Sequence, residues 1–401
     1  MTGNDRPIVV GGGAAGLAAC LTIESQGHAP ILLEASDRLG GRLRTERMAD
    51  GTPVDVGFQV LLTAYPELHR WVDLPALDPV AFVPGARIRK HGRWKTLADP
   101  RRLPGSLLAT LTSGVGTWGD RIRILRLVRE ACSGSAESVQ DGLTTGSTAE
   151  FLQTRGFTND FIRDFLGPFF SGIFLDARLS PPPAQFLYTL RMFASGAVVR
   201  PAAGIEALVR QLAGRLERTE VRLGTRVVAV SAGRVELECG EMVKGSGVIS
   251  SVERRSEVEW NSCFNAVFET KAPRFGQPII GLLPDAACVT NVHFMEDIQG
   301  EEGRGKLNVT ALPGSKGVGD VLAMERRVRH DLEAAGLQPG AMLWHTIIHK
   351  ALPQLDAVRS SLEILRNEAG VYLAGDHVAA PSLDAALRSG RLAAESWMTR
   401  P

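Results

Sequence analysis

An α/β fold with two interleaved domains is what the 401-residue sequence predicts, on three observations. The segment 8–34 reads strand, glycine-rich turn, helix, strand, which is the βαβ unit of a doubly wound parallel sheet. Further strand and helix patterns suited to that sheet recur only far along the chain, near 200–255 and 345–401. In between, 256–344 alternates with period two like an antiparallel sheet, and 71–199 reads mainly helical. The expected arrangement is a Rossmann-type domain assembled from 1–70, 200–255 and 345–401. A second domain, of antiparallel sheet plus helices, is assembled from 71–199 and 256–344.

Ile8–Val10 is a short apolar strand, and Gly11, Gly13 and Gly16 after it form G-x-G-x-x-G. Ala14–Ser25 is the helix that this motif opens, and Ile31–Leu33 is the second strand, ended by Glu34. Gly11 permits the tight turn, Gly13 admits a pyrophosphate to the backbone, and Gly16 lets helix and strand pack closely. The helix start offers free N–H groups to phosphate, and Glu34 can accept hydrogen bonds from ribose hydroxyls. Next comes Arg38-Leu-Gly40-Gly41-Arg42-Leu-Arg-Thr45, a second glycine pair between two arginines. It is more phosphate-binding apparatus than a nicotinamide dinucleotide alone needs. Later, 204–240 reads helix, strand and hairpin, "VKGSGVISSVE" returns a buried strand to the sheet, and the helix of 321–336 interrupts the antiparallel strands. Near the end, Leu373-Ala-Gly375-Asp376 reads as a strand end, followed by a helix starting near Ser382.

Composition narrows the function classes. Apolar content of 44%, charged content of 22% and a net charge of +1 describe an ordinary globular chain, with no basic excess to suggest nucleic acid. No apolar run reaches the roughly 18 residues of a membrane span. Five singly scattered cysteines fit reduced thiols better than disulfides or zinc, which makes the cytoplasm the expected compartment. His345 and His349 are four apart in a strand-like stretch, and no metal site is expected.

With these motifs in place, the chain resembles the superfamily of flavin-containing amine oxidases, protoporphyrinogen oxidases and phytoene desaturases. The resemblance rests on the two glycine motifs, on Asp55-Val-Gly57-Phe58-Gln59-Val60, on Pro201-Ala-Ala-Gly204 and Leu223–Val230, and on Gly375-Asp376 with its helix. It implies non-covalently bound FAD. The implied contacts are Gly11, Gly13, Ala14, Ala15 and Gly16 in the first turn, Glu34 and Ala35 at the ribose, and Arg38, Gly40, Gly41 and Arg42 in the second motif. Gly57, Phe58, Gln59 and Val60 would lie along the ring and Val227 at the adenine. Gly375, Asp376, Ser382, Leu383 and Ala386 would complete the site, with Asp376 on the ribityl chain. No second G-x-G-x-x-G follows a strand, so one dinucleotide is expected and NAD(P)H is not a resident partner.

The same resemblance implies an FAD-dependent oxidoreductase. Three features lean toward a dehydrogenase or desaturase acting on an apolar substrate, a polyene by kinship, with reoxidation by oxygen or a quinone. Ser382 stands where amine oxidases place a cage tyrosine. The stretch Trp260–Phe268 lacks the lysine that those enzymes hold near the flavin, and Gly375-Asp376 reads as in the desaturases. An amine oxidase is the alternative, with Trp344 a substitute for the missing aromatic. A non-catalytic lipid-protein chaperone, like the Rab GDP-dissociation inhibitors, is the third reading. Flavin chemistry asks little of side chains, so no catalytic residue is nominated.

Two segments keep two readings each. The aromatics of Phe161–Phe174 and Phe186–Phe193 are either helical core or the wall of an apolar tunnel. The basic residues of 87–129, mixed with Trp and Leu, are either a solvated face or a peripheral membrane contact.

Overall fold

The computed structural model describes residues 6–57, 59–99, 102–136, 139, 145–253, 258–299, 305–314, 319–355, 358 and 370–399. Five short strands form the parallel sheet: β1 (Ile8–Val10), β2 (Ile31–Leu33), β3 (Glu220–Arg222), β4 (Val248–Ser250) and β5 (Tyr372–Leu373). Their order is β3-β2-β1-β4-β5, every pair parallel. β1, β2 and β4 are buried throughout, as strands covered on both faces must be, and their Val, Ile and Leu content follows from that. The order reverses between β1 and β4, which is where open α/β sheets hold ligands at their carboxyl ends.

Helix α1 (Ala14–Ser25) is buried from Ala14 to Ile23 and is apolar there except for Thr22, whose hydroxyl donates to the Ala18 carbonyl at 2.7 Å. It is sandwiched between the sheet and the last helix, Leu383–Met398. The two helices approach closely because small residues meet: a Cβ on Gly390 would stand 2.0 Å from the carbonyl oxygen of Ala15. Ala14, Leu17, Ala18, Leu21, Ile23, Leu387, Ala393, Ala394 and Trp397 share one core cluster.

The second domain is a seven-stranded sheet. Its order is 339–353, 260–270, 305–311, 289–294, 280–282, 85–90, 93–98, with a single parallel pair, Ile280–Leu282 beside Gly85–Lys90. The outer strand Pro339–Pro353 continues past residue 345, where the sequence suggests a return to the first domain. The stretch 79–98, expected to be helical, is strand instead. Ala86 and Ile88 are buried with period two, while Arg87 and Arg89 lie over the rings of Phe275 and Trp94 at 5.5 and 5.7 Å. Those arginines cover aromatic surface. Lys90 is likewise committed, paired to Asp164 at 2.6 Å.

The helical layer includes α2 (Leu107–Thr112), α3 (Trp118–Ala131), the run from Asn159 to Phe174, and Pro183–Ser195. Its aromatics are its core: Phe161, Phe170, Phe174 and Phe186 are buried together, with Phe170 and Phe186 ring centroids 4.5 Å apart. A cavity of about 320 Å³ is lined by Ile162, Pro168 and Ser171 of that run and by Leu283 and Val289.

The helix Val321–Ala334 is pinned to the sheet by Asp331. Its carboxylate accepts from the N–H groups of Ala287, Cys288 and Val289 at 2.9, 2.8 and 3.0 Å. Burial pushes this acid's pKa up, but the three N–H donors and the Cys288 thiol outweigh it and hold it below the usual aspartate range. The unfolded chain therefore binds the extra proton in acid. The stabilisation is complete above the unfolded pKa and is lost as pH falls through the folded one. Asp331→Asn should cost about 2 kcal/mol at neutral pH. As pH falls through and below the ordinary aspartate range it should lose less stability than the wild type, measured as urea midpoints over an acid series.

Candidate cofactor site

The three motif glycines differ in their surroundings. A Cβ on Gly16 would stand 1.9 Å from the Gly11 carbonyl oxygen, and one on Gly11, at φ +96°, would strike Ser251 Oγ at 2.5 Å. One on Gly13 would meet nothing within 4 Å. Gly11 and Gly16 are packing positions, and Gly13 opens onto free space where α1 begins. No side chain caps α1 and no acid sits in its first turn. The N–H groups at Ala14 and Ala15 and the positive end of the helix dipole face that same space.

Glu34 ends β2 with its carboxylate fixed: it accepts from the Gly12 N–H at 2.6 Å and from the Ser36 N–H and hydroxyl at 2.8 and 2.7 Å. Ala35 is exposed next to it. The second glycine motif folds back on the first, with the Gly40 N–H donating to the Gly12 carbonyl at 2.8 Å. Gly41, at φ +58°, lies against Gly13. Arg38 faces Glu206 at 3.7 Å, whereas Arg42 reaches Asp376 at 2.5 Å across 334 residues of sequence.

The late motif meets them from the other side. β5 ends at Leu373, earlier than the sequence suggests, and Ala374 N–H still donates to Ser250. Gly375 has φ +118° and is gripped by Ser389, whose hydroxyl accepts from its N–H at 2.8 Å and donates to its carbonyl at 3.2 Å. Asp376 opens a 3₁₀ turn to Val378. Ser382 N-caps the last helix by accepting from the Ala385 N–H at 3.1 Å, while Leu383 and Ala386 pack in the core shared with α1.

Gly57 has φ +90° and faces Ile348; Gln59 donates to the carbonyls of Arg42 and Val56, both at 2.8 Å, and Val60 follows half-buried. Phe58 lies outside the described residues. Val227 starts a hairpin beside Glu34, fastened by the Thr225 N–H donating to the Glu34 carbonyl at 2.8 Å.

Sequence reasoning missed the tryptophan at this junction. Arg42 and Lys350 both lie over the Trp260 ring, 5.3 and 5.5 Å from its centroid, and His377 stands 6.4 Å away. The Trp260 indole N–H is buried without a hydrogen-bond partner among the described residues. Lys350 comes from the neighbouring strand and also pairs with Glu253 at 3.3 Å. No local pattern signals this cluster, because it is made by strand pairing. Beside Gly57 and Gln59 a small cavity, about 20 Å³, is backed by the buried Arg200–Asp55 pair at 2.7 Å and by His293. Burial, with help from Arg200, pulls the His293 pKa down to about 3, so this imidazole is neutral at physiological pH.

These groups fit FAD. An uncapped helix start, an open Cα at Gly13, an arginine, a carboxylate beyond the second strand and a buried aspartate supply donors and acceptors for pyrophosphate, ribose and ribityl. Asp376→Ala is expected to weaken FAD binding about tenfold or more. The fold should survive, because the Arg42 left behind is 41% exposed and can be hydrated. Titration of flavin-stripped protein with FAD checks both points, and unchanged affinity would remove Asp376 from the site.

Comparison with known proteins points the same way. Residues 14–255 match the family described as "Flavin containing amine oxidoreductase". A 15-cis-phytoene desaturase from Narcissus pseudonarcissus is 30% identical over 160 residues, covering 37% of this chain and 28% of that protein. Protoporphyrinogen oxidase 2 from Arabidopsis thaliana is 29% identical over 167 residues, covering 42% and 32%. The matched part thus spans about a third or less of each curated relative. Among solved structures, a fatty acid isomerase from P. acnes superposes with a TM-score of 0.74 at 15% identity, covering 98% of both chains, a likeness of fold.

Proposed function

The chain belongs to the flavin containing amine oxidoreductase family, and on that premise we propose that it is an FAD-dependent dehydrogenase or desaturase acting on an apolar, polyene-type substrate. FAD, held without a covalent bond, supplies the hydride acceptor. The chain's own residues bind and orient it: α1 and Arg42 at the pyrophosphate, Glu34 at the ribose, Asp376 at the ribityl chain. Reoxidation by oxygen or a quinone completes the cycle.

The observation that carries the substrate class is the use made of position 382. Resemblance to the amine oxidases would ask for an aromatic there, and Ser382 instead caps the last helix. Trp344, the candidate replacement, is spoken for as well. It packs against Met48, Val54, Val267 and Met295, and its indole N–H donates to Glu46 at 3.2 Å. An aromatic cage for an ammonium group therefore has no evident source in these two positions.

Lys350 supports the second reading, oxidation of an amine. It brings a lysine beside Trp260 from the adjacent strand, although the stretch 260–268 has none. The deciding measurement is the visible absorbance of the flavin under anaerobic conditions, with an amine panel and, separately, polyenes dissolved in liposomes. Bleaching by polyenes alone is the expected result. Bleaching by amines would overturn the apolar-substrate reading and direct attention to Lys350.

A further inference from the structure

Helix α3 carries two apolar stripes, and folding uses one. Asp120, Ile124, Leu127 and Ala131 face the helical core, where Leu127 and Ala131 are buried and Asp120 anchors the capping box. Trp118, Ile122 and Leu125, spaced i, i+4, i+7, form the other stripe, and all three are exposed, Trp118 to 66%. Helix α2 adds Leu107, Leu108 and Leu111, with Leu108 73% exposed. Arg121 holds the two helices together, donating to the Thr110 carbonyl at 2.9 Å while stacking over Trp118 at 5.0 Å. Six of the thirteen large apolar side chains exposed among the described residues thus gather on one helical hairpin. The other seven are spread from Val221 to Leu343, so the hairpin is a patch rather than background.

The charges carried by this hairpin are mostly basic. Residues 102–131 contain Arg102, Arg121, Arg123, Arg126 and Arg129 against only Asp120 and Glu130. Asp120 is buried, and Glu130 is taken up by Arg155 at 2.6 Å. Arg126 and Arg129 stand exposed at the end of the outward stripe. No helix among the described residues is long and apolar enough to cross a membrane.

We propose that α2 and the outward stripe of α3 form a docking surface for an anionic phospholipid bilayer, with Leu108, Trp118, Ile122 and Leu125 entering the interface and Arg126 and Arg129 resting on the headgroups. Exposed apolar side chains gathered on one hairpin and flanked by arginines are what an interfacial helix needs. A second copy of the chain fits less well, since a two-fold contact would set like-charged arginines against each other. The arginines of 87–89 play no part, being folded onto aromatic rings. The inference stands on this surface alone and not on the substrate reading.

Flavin-loaded protein is sedimented with vesicles of phosphatidylcholine mixed with phosphatidylserine, and separately with vesicles of phosphatidylcholine alone. Binding to the mixed vesicles is expected, weakening with added salt, together with a blue shift of tryptophan emission that Trp118→Phe abolishes. The triple variant Leu108→Ser, Ile122→Ser, Leu125→Ser and the double variant Arg126→Glu, Arg129→Glu should each lose roughly tenfold or more in partitioning. Their flavin spectra should match the wild type, showing that the fold is kept. Wild-type protein that stays in the supernatant, or variants that bind as well as it does, would overturn the proposal. So would a dimer in light scattering that the triple variant converts to monomer, because the face would then be a self-association surface.

Discussion

Replacing Gly16 by valine is expected to destroy the first domain. Its Cβ would stand 1.9 Å from the carbonyl oxygen of Gly11 and 3.1 Å from the carbonyl carbon. Both are backbone atoms of the turn that joins β1 to α1, so no side-chain rotation relieves the clash. Relief requires α1 to move away from the sheet, yet its far side is already pressed on the last helix at Gly390. Overpacking with no soft partner costs about 3 kcal/mol, a large share of the stability of most domains. Soluble protein should be scarce and colourless, and its urea midpoint should fall. A Gly16→Val protein that purifies with full flavin and an unchanged midpoint would mean that α1 does not sit this close to the turn.

Valine at Gly13 should do the reverse, leaving the fold and removing the flavin. Gly13 has φ −78° and ψ −175°, a conformation open to any L residue, and an added Cβ meets nothing within 4 Å. Stability should stay within about 0.5 kcal/mol of wild type. The side chain would nonetheless fill the space in front of the first turn of α1, where the phosphates are expected to approach. A loss of affinity for FAD of about a hundredfold is predicted, read by titrating flavin-stripped protein. If Gly13→Val binds FAD normally, the pyrophosphate lies elsewhere. Together the two variants separate the glycine that packs from the glycine that makes room, although both belong to one motif.

The start of the chain was readable because its physics is local. Ile8–Val10, Ala14–Ser25 and Ile31–Leu33 are the elements that the apolar runs and glycines suggest, and the last helix begins at Leu383, beside the expected Ser382. Reading failed where a residue's partner is distant. The strands within 79–98 look polar and basic because Arg87 and Lys90 spend their charges on Phe275 and Asp164, neither of which is a sequence neighbour, while Arg89 lies over Trp94 across the hairpin. Ser389 and Gly390 look like ordinary helix residues until Gly375 and Ala15 are brought against them. Trp260 gains Arg42 and Lys350 only when two strands and the second glycine motif converge. In the Phe161–Phe174 segment, open between core and tunnel on sequence grounds, Phe161, Phe170 and Phe174 pack in the core while Ile162, Pro168 and Ser171 line a cavity.

The bond between Arg42 and Asp376 bears on how the protein is made. Its two ends are separated by 334 positions, and ribosomes add residues at roughly 5–20 per second. The first glycine motif must therefore wait on the order of 15 seconds or more for its counterpart to be synthesised. A nascent chain stalled before residue 370 would carry the phosphate turn yet lack Asp376, so firm capture of flavin is expected only after translation has passed that point. Flavin loading should then be a late checkpoint of biogenesis, and arrested chains of graded length would show it as an abrupt gain of bound flavin.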